Sequence, residues 1–185
     1  YHNDIVFYGG TESYKYPGFN GAKYKIYASS QDYGVYLKNE KKIKKLYKKK
    51  YALFIDAYLP FHPDHKHDTN LLISSSEYFR KLEFFFREFE KVTKLKIIIA
   101  LHPKADLKKY PVYIKKFKII QNQTVALVKY SKLVLQHGST AQSYAVIYKK
   151  PLIFLTSDQM LKYEFVKNHT FLKDLFGSKL INVED

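Results

Sequence analysis

Two short segments of this sequence place polar groups where an anion could be held. The first is Leu101-His102-Pro103-Lys104, in which an imidazole and a lysine follow an apolar run. Pro103 fixes its own φ and restricts the backbone of the residue before it. Held in this way, His102 can donate a hydrogen bond to a phosphate oxygen, and Lys104 adds a positive charge. The alternative is an ordinary exposed turn.

The second segment is Gln136-His137-Gly138-Ser139-Thr140, which also follows an apolar run. Gly138 permits a tight turn and a close approach of the backbone to a ligand. We expect a helix to begin at Ser139 or Thr140, so that its unpaired N–H groups and the two hydroxyls face one phosphate. His137 belongs to the same set of phosphate-binding candidates. The alternative is that Ser139 or Thr140 only caps the helix.

A third group of polar residues crowds one loop and consists of His62, Asp64, His65, His67 and Asp68. Imidazoles and carboxylates are ligands for divalent metals, so a metal site is one interpretation. Pro60 and Pro63 lie in the same loop, and no regular element fixes its geometry. The pattern therefore favours a polar loop that holds no metal and titrates near neutral pH.

The elements that must position these residues alternate regularly from residue 51 onward. Apolar runs predict strands at 51–56, 96–101, 117–120, 133–135 and 151–155. Helical periodicity predicts helices at 74–92, 124–130, 140–148 and 159–175. The first of these helices opens on the capping box Ser74-Ser75-Ser76-Glu77. Buried strands that alternate with helices predict an α/β fold, with a Rossmann-like parallel sheet and helices on both faces.

Ligands of such sheets bind beyond the carboxyl ends of the strands. The rule selects the segments 56–68, 102–106, 137–140 and 156–159, so both phosphate candidates lie at the expected edge. Asp56 ends the first of these strands. We expect it either to order a loop or to contact a ribose or sugar hydroxyl.

Residues 1–50 are patterned differently and are interpreted as an N-terminal segment or linker, a possible remnant of a second domain, ahead of a Rossmann-like domain at 51–185. Short strands are expected at 4–8 and 23–27. The segment 41–50 holds seven lysines in ten positions, with Ile43, Leu46 and Tyr47 at helical spacing. This spacing predicts a surface helix with one apolar stripe. Such a helix suits anionic lipid or RNA, or packs beside the sheet as a solvated element.

The charge balance is 32 basic against 17 acidic residues, a net +15. That excess favours an anionic partner such as nucleotide phosphates, nucleic acid or an acidic membrane surface, although lysine-rich usage is an alternative explanation. Only Arg80 and Arg87 are arginines, which weighs against specific base readout and makes nucleic acid the weaker expectation. The sequence has no cysteine and no apolar run long enough to cross a bilayer. These features favour a cytoplasmic protein, with peripheral attachment to the inner membrane face as an option.

The order of strand, His102-Pro103, strand, His137-Gly138-Ser139-Thr140-Ala141, helix, Lys150-Pro151 and strand resembles the C-terminal half of GT-B glycosyltransferases. The resemblance covers about residues 51–160. It is strongest to bacterial sialyltransferase-like proteins and to proteins of capsule or lipooligosaccharide polysaccharide synthesis.

This resemblance implies a transferase that uses a nucleotide-sugar donor, CMP-sialic acid-like first and UDP-sugar second, with a glycan or lipid-linked acceptor. It implies that His102 contacts the donor phosphate and stabilises the leaving nucleotide as the catalytic residue. It further implies that Ser139 and Thr140 bind the same phosphate, and that neither a metal nor another cofactor is needed.

One departure from the family pattern concerns the base that activates the acceptor. In the related enzymes this carboxylate lies in an N-terminal domain, which residues 1–50 do not supply in full. We therefore expect the chain to be one half of a two-domain enzyme and inactive by itself. A UDP-sugar 2-epimerase is an alternative, although it needs acid and base carboxylates that the cleft segments do not offer. A basic module for nucleic acid or anionic membrane is a second alternative, weakened because most Tyr and Phe fall at core-periodic positions.

Overall fold

The chain folds into two compact units, Tyr1–Ile43 and Lys44–Asp185, in a computed structural model that describes residues 4–9, 22–62, 74–162 and 172–185. In the first unit, β1 (Ile5–Gly9) pairs in parallel with β2 (Tyr24–Ala28). Helix α1 (Gln31–Asn39) follows, with Ser30 as its N-cap.

The second unit is built on a six-stranded parallel sheet. Its strands are β3 (Tyr51–Ile55), β4 (Lys96–Leu101), β5 (Lys118–Gln121), β6 (Leu133–Gln136), β7 (Leu152–Thr156) and β8 (Lys179–Asn182). Their order across the sheet is β5-β4-β3-β6-β7-β8, and every neighbouring pair is parallel. From β3 the chain adds β4 and β5 on one side, crosses back to the other side of β3, and there adds β6, β7 and β8. This order confirms the predicted Rossmann-like fold, and its reversal point lies between β3 and β6.

Helices cover the sheet between the strands. They are α2 (Ser75–Thr93), α3 (Thr124–Tyr130), α4 (Gln142–Ile147) and α5 (Asp158–Leu161). The Ser74 hydroxyl accepts a hydrogen bond from the backbone N–H of Glu77, which confirms the N-cap read from the capping box. Helix α2 ends where Lys94 turns into the left-handed region at φ 59°.

The core has two layers, one on each face of the sheet. Along β3, Ala52 and Phe54 face the layer that contains Phe86 of α2. Leu53 and Ile55 face the opposite layer with α3 and α4. All five residues of β3 are buried, because a strand at the centre of a doubly covered sheet has no solvent face.

The lysine-rich segment differs from its prediction. A 3-10 turn covers Glu40–Lys42, and residues 43–50 form no helix. Three apolar side chains among seven lysines leave little surface to bury, while the like charges repel one another at helical spacing. Residues 44–50 instead lead directly into β3.

Two boundaries in the second half also differ from the sequence expectation. Helix α4 begins at Gln142 rather than at Ser139 or Thr140. Helix α5 ends at Leu161 instead of running to residue 175, although residues 172–175 are helical and residues 163–171 fall outside the described part. A sixth strand, β8, then pairs with β7, and it was not predicted because its apolar run is only two residues long, Leu180 and Ile181.

Candidate functional site

The loops that follow β4, β3 and β6 leave the sheet side by side at one edge. These strands are adjacent and in parallel register, so their carboxyl ends are level. β4 and β6 flank β3 at a separation of about 10 Å, twice the usual spacing between neighbouring strands. Because the strand order reverses at β3 and β6, the loops on the two sides diverge and leave room for a ligand between them.

His102 is held in a defined orientation at the end of β4. Its ring nitrogen Nδ1 accepts a hydrogen bond from the backbone N–H of Lys104 at 3.1 Å. An imidazole that accepts at Nδ1 carries its proton on Nε2 when it is neutral. The ring also stacks on Tyr58, with centroids 6.3 Å apart and planes 11° apart. His102 is half-buried and Lys104 is exposed, so both predicted groups lie at the surface of the edge.

Gln121, at the end of β5, fixes the backbone of the same loop. Its Nε2 lies 3.1, 3.2 and 3.3 Å from the carbonyl oxygens of His102, Pro103 and Ala105. One amide therefore gathers three carbonyls into a narrow arc. Gln121 is not among the predicted site residues, although it is a polar residue that ends a strand at the ligand edge.

Asp56 links the loops that follow β3 and β4. Its Oδ1 accepts from the backbone N–H of Tyr58 at 3.1 Å, and its Oδ2 accepts from that of His102 at 3.3 Å. The Tyr110 hydroxyl donates to Oδ2 at 2.6 Å. Only 3% of Asp56 is exposed, and this burial raises the pKa of its carboxyl above the ordinary value of 3.8. Of the two roles expected from the sequence, the contacts fit the ordering of loops, while contact with a ribose or sugar hydroxyl stays a prediction.

Tyr58 has an unusual backbone at the centre of this network. Its φ of 54° lies in the left-handed region, which costs about 1–2 kcal/mol for a residue with a Cβ. The hydrogen bond from its N–H to Asp56 and the stacking of its ring between His102 and Tyr110 offset that strain. Neither tyrosine carries a sequence signal that distinguishes it from a core residue.

His137 occupies a different environment from that of His102. It is 1% exposed, and its ring packs against Phe54 and Tyr78 with centroids 5.4 and 5.5 Å away. Its Nδ1 donates to the carbonyl oxygen of Leu155 on β7 at 2.9 Å. The side chain thus bridges β6 and β7 within the core, which differs from the phosphate contact predicted for it.

The three residues after His137 form an open turn before α4. Gly138 has a φ of 144°, which favours glycine and agrees with the tight turn predicted there. Ser139 is half-buried, and its hydroxyl accepts from the backbone N–H of Ala141 at 3.3 Å. Thr140 is exposed. The assigned N-cap of α4 is Ala141, whose side chain makes no capping bond. The Ser139 hydroxyl instead bonds an N–H of the turn that enters the helix, as the capping alternative expects for Ser139.

Gln136 organises this turn from below. It is completely buried, its Oε1 accepts from the backbone N–H of Ser139 at 3.0 Å, and its Nε2 donates to Gln142 at 2.7 Å. A buried amide at the end of a central strand therefore shapes the turn in the way that Gln121 shapes the loop after β4.

The metal interpretation rests on a loop that lies mostly outside the described residues. Of its five polar members only His62 is described, and its ring contacts that of His102 edge-on at 5.1 Å. Among the described residues no group of three His, Cys, Asp or Glu side chains is arranged to hold a metal ion. In that same part of the chain, no helix is long and apolar enough to cross a membrane.

Comparison with known proteins returned solved structures and no sequence relatives. No protein-family model matches the sequence, and no curated protein matches it. Among the solved structures, UDP-GlcNAc 2-epimerase of Methanocaldococcus jannaschii aligns with a TM-score of 0.46 and 18% identity over 83% of this chain and 38% of its own. The glycosyltransferase SnogD of Streptomyces nogalater aligns with a TM-score of 0.45 and 13% identity over 74% of this chain and 32% of its own. The chain thus spans less than two fifths of these proteins, and its fold assignment rests on its own strand order and pairing.

Proposed function

We propose that the six-stranded unit binds a nucleotide-activated sugar at the carboxyl ends of β3, β4 and β6. In this proposal it is the donor-binding half of a GT-B glycosyltransferase. The diphosphate or monophosphate of the donor lies between the loop of His102 and the turn at Gly138, Ser139 and Thr140. The chain's share of the reaction is to hold the donor and to stabilise the negative charge that develops on the departing nucleotide.

The observation that carries this proposal is the orientation of the His102 ring. Because Nδ1 is occupied by the N–H of Lys104, the proton of the neutral imidazole is on Nε2, where it can be donated to a phosphate oxygen. The stack on Tyr58 and the amide of Gln121 hold the ring and its backbone before any ligand arrives. Such preorganisation is what stabilisation of a leaving phosphate requires.

The turn after β6 supports the proposal from the other side of the switch point. The positive φ of Gly138 turns the chain sharply, and Thr140 presents an exposed hydroxyl beside the half-buried Ser139. His137 positions this turn through its bond to Leu155 rather than through contact with the phosphate. Lys104 adds a positive charge on the opposite side.

The finer assignment follows the resemblance of the two motifs. A CMP-linked acid sugar is the first donor to test and a UDP-sugar the second, with a glycan or lipid-linked acceptor in surface polysaccharide synthesis. No metal or other cofactor is needed in this proposal, because His102, Lys104 and the turn at Ser139 supply the groups that face the phosphate. Asp56 acts as a positioning residue for His102, because its carboxylate accepts a hydrogen bond from the backbone N–H of His102.

A titration with CMP, UDP and GDP, in which binding is detected by thermal shift or by NMR, tests the proposal directly. We expect at least one nucleotide to raise the melting temperature, because a ligand that binds only the folded state stabilises it. His102→Ala and Thr140→Ala should each weaken that binding about tenfold or more. Thr93→Ala removes an exposed hydroxyl at the opposite end of the strands and should leave binding unchanged.

Two other results would redirect the assignment. Binding of UDP with interconversion of a UDP-sugar at C2 would favour the epimerase alternative. No stabilisation by any of the three nucleotides, together with tight, salt-sensitive binding of an oligonucleotide, would contradict the donor site.

A further inference from the structure

The amino-terminal edge of the six-stranded sheet, opposite the site described above, carries a row of lysines. Lys96 opens β4 opposite Tyr51, the residue after Lys50. The ladder of β4 and β5, extended by two residues, points from Lys96 toward Lys116, although Lys116 ends the 3-10 turn Ile114–Lys116 and Lys118 is the lysine that opens β5. The same extension puts Lys132, which directly precedes β6, level with Lys150. β3 and β4 thus begin at the same level, β6 begins one residue later, and β5 and β7 begin two residues later. Across these five strands, a width of about 19 Å or four times the usual strand spacing, a lysine lies within two residues of every strand start.

In the part of the chain that the structure describes, few acidic residues reach this basic edge. The segments that lead into the five strands, 44–50, 94–96, 111–118, 131–132 and 149–151, contain no Asp or Glu. Glu90 of α2 approaches from the side and pairs with Lys96 at 2.7 Å. Arg87 of α2 pairs with Glu83. Among the lysines of this row, the carboxylates of α2 therefore neutralise only the charge of Lys96, at the start of β4.

Two lysines of the basic edge, Lys132 and Lys150, carry charges that repel each other. The pKa of Lys150 is lowered from its ordinary value, first by burial and then by the positive charge of Lys132. A like-charge pair of this kind costs stability, and a neighbouring anion relieves the cost. An anion beside Lys132 and Lys150 would be stabilised by both charges.

A cavity of about 350 Å³ opens at the same edge, beside the starts of β4 and β5. Lys96, Lys116, Lys118 and Arg87 contribute four cations to its lining, against the single carboxylate of Glu90. This volume is at the lower end of the range for small-molecule pockets and is large enough for a phosphate headgroup.

We propose that this basic edge docks on the surface of an anionic lipid bilayer. The proposal does not depend on the donor site, which lies at the other end of the strands. A row of lysines along one edge of a sheet suits a flat anionic surface, because their long stems let ammonium groups that start at slightly different levels reach the headgroups. Leu46, 43% exposed within the lysine-rich segment, offers an apolar side chain to the headgroup boundary.

RNA is the competing polyanion, and the aromatic side chains of the edge weigh against it. Binding of single strands relies on exposed aromatic faces on which bases stack. Tyr51 is 1% exposed, and Phe117 packs against Phe86 with ring centroids 5.3 Å apart. The ammonium of Lys118 lies 5.6 Å from the centre of the Tyr47 ring and occupies one of its faces.

The test is sedimentation of the full chain with vesicles of phosphatidylcholine alone or with 30% phosphatidylglycerol. The edge variant carries Lys50→Glu, Lys116→Glu and Lys132→Glu, all at exposed positions. The matched control carries Lys108→Glu, Lys109→Glu and Lys162→Glu, three exposed lysines that follow strand ends at the opposite edge. Both variants lower the net charge by the same amount, and circular dichroism and melting curves verify that both are folded.

We expect the wild type to bind only the anionic vesicles, with binding that weakens as salt is raised. The edge variant should lose about a hundredfold in affinity, at about fivefold for each lysine, while the control stays within about threefold of the wild type. Equal losses in both variants would mean that the net charge alone drives binding, and this result would overturn the proposal. Absence of wild-type binding to the anionic vesicles, or tight binding of an RNA oligonucleotide that only the edge variant loses, would overturn it as well.

Discussion

The two loops that flank β3 begin alike and are used differently. Each starts with a histidine that directly follows a buried strand, His102 after β4 and His137 after β6. The ring of His102 is half-buried and lies at the surface of the edge, where Lys104 and Tyr58 hold it. The ring of His137 is 1% exposed and bonds to Leu155 within the core.

This difference shows that residue type at a strand end does not decide whether a side chain meets a ligand. After His102, the loop folds back so that the N–H of Lys104 reaches Nδ1. After His137, the chain turns away at Gly138 with a φ of 144°, and the ring is left among Phe54 and Tyr78. In the proposed site the β4 loop therefore supplies the side chain of a histidine, whereas the β6 turn supplies the hydroxyls of Ser139 and Thr140.

Removal of the Asp56 carboxylate, which orders the loop after β4, should lower the stability of the protein more than any other single change considered for the two loops. Asp56→Ala leaves the Tyr58 N–H, the His102 N–H and the Tyr110 hydroxyl without their buried acceptor. We expect the free energy of unfolding to fall by about 4 kcal/mol in urea denaturation, because each unsatisfied group costs about 1–3 kcal/mol. Asp106→Ala, at an exposed aspartate on the same edge, should cost less than about 1 kcal/mol. Similar losses for the two variants would contradict the role assigned to Asp56.

The next effect separates the two histidines. His137→Ala removes a buried ring together with its hydrogen bond to the carbonyl of Leu155, at an expected cost of about 3 kcal/mol. His102→Ala should cost less than about 1 kcal/mol, because its ring is only half-buried. Denaturation of both variants under one set of conditions measures the difference. If His102→Ala proves the more destabilising, the assignment of one ring to the core and the other to the surface is wrong.

A smaller effect is expected from one hydroxyl within the Asp56 network. Tyr110→Phe keeps the ring that stacks on Tyr58 and removes the hydrogen bond to Oδ2 of Asp56. We expect a loss of about 1.5 kcal/mol in the free energy of unfolding, with Tyr113→Phe of the same loop as the control. An unchanged stability for Tyr110→Phe would show that the hydroxyl does not support the carboxylate.

The pH dependence of stability sharpens the account of Asp56. Burial raises its pKa in the folded chain, so the folded state binds the proton more tightly than the unfolded state does. The stability that this tighter proton binding contributes is fully present below 3.8, the pKa of Asp56 in the unfolded chain. It is lost as pH rises through the raised pKa of the folded chain. The stability of the wild type relative to Asp56→Asn should therefore decline as pH rises above about 4. A relative stability that increases with pH over this range would mean that hydrogen bonding outweighs burial.

Much of the fold could be predicted from local pattern alone. The strands β3 to β7 are short apolar runs with polar or turn residues at their ends, and such runs identify buried parallel strands. The strand β8 could not be predicted in the same way, because only Leu180 and Ile181 of its four residues are apolar. The helix predicted for the lysine-rich segment is absent. Three apolar residues at helical spacing bury too little surface to outweigh the repulsion among its lysines.

The site was predictable only to the level of the loops. His102 and Gly138 lie where the rule for strand ends places them, and that rule depends on topology alone. The roles of Tyr58, Gln121 and Gln136 depend on where each side chain turns in three dimensions, which no spacing along the chain records. The burial of His137 has the same cause, because it depends on the approach of Tyr78 from α2.

The most direct test of the donor site is a pair of substitutions at His102 that separates the roles of its two ring nitrogens. His102→Asn places an oxygen near Nδ1, where it can still accept from the N–H of Lys104, but it lacks a donor at the position of Nε2. His102→Gln places its amide nitrogen near Nε2 and loses the local acceptor. Titration of both variants with the nucleotide that binds the wild type should show a loss of about tenfold or more for His102→Asn and a smaller loss for His102→Gln. Wild-type affinity in His102→Asn would contradict the claim that Nε2 of His102 binds the donor phosphate.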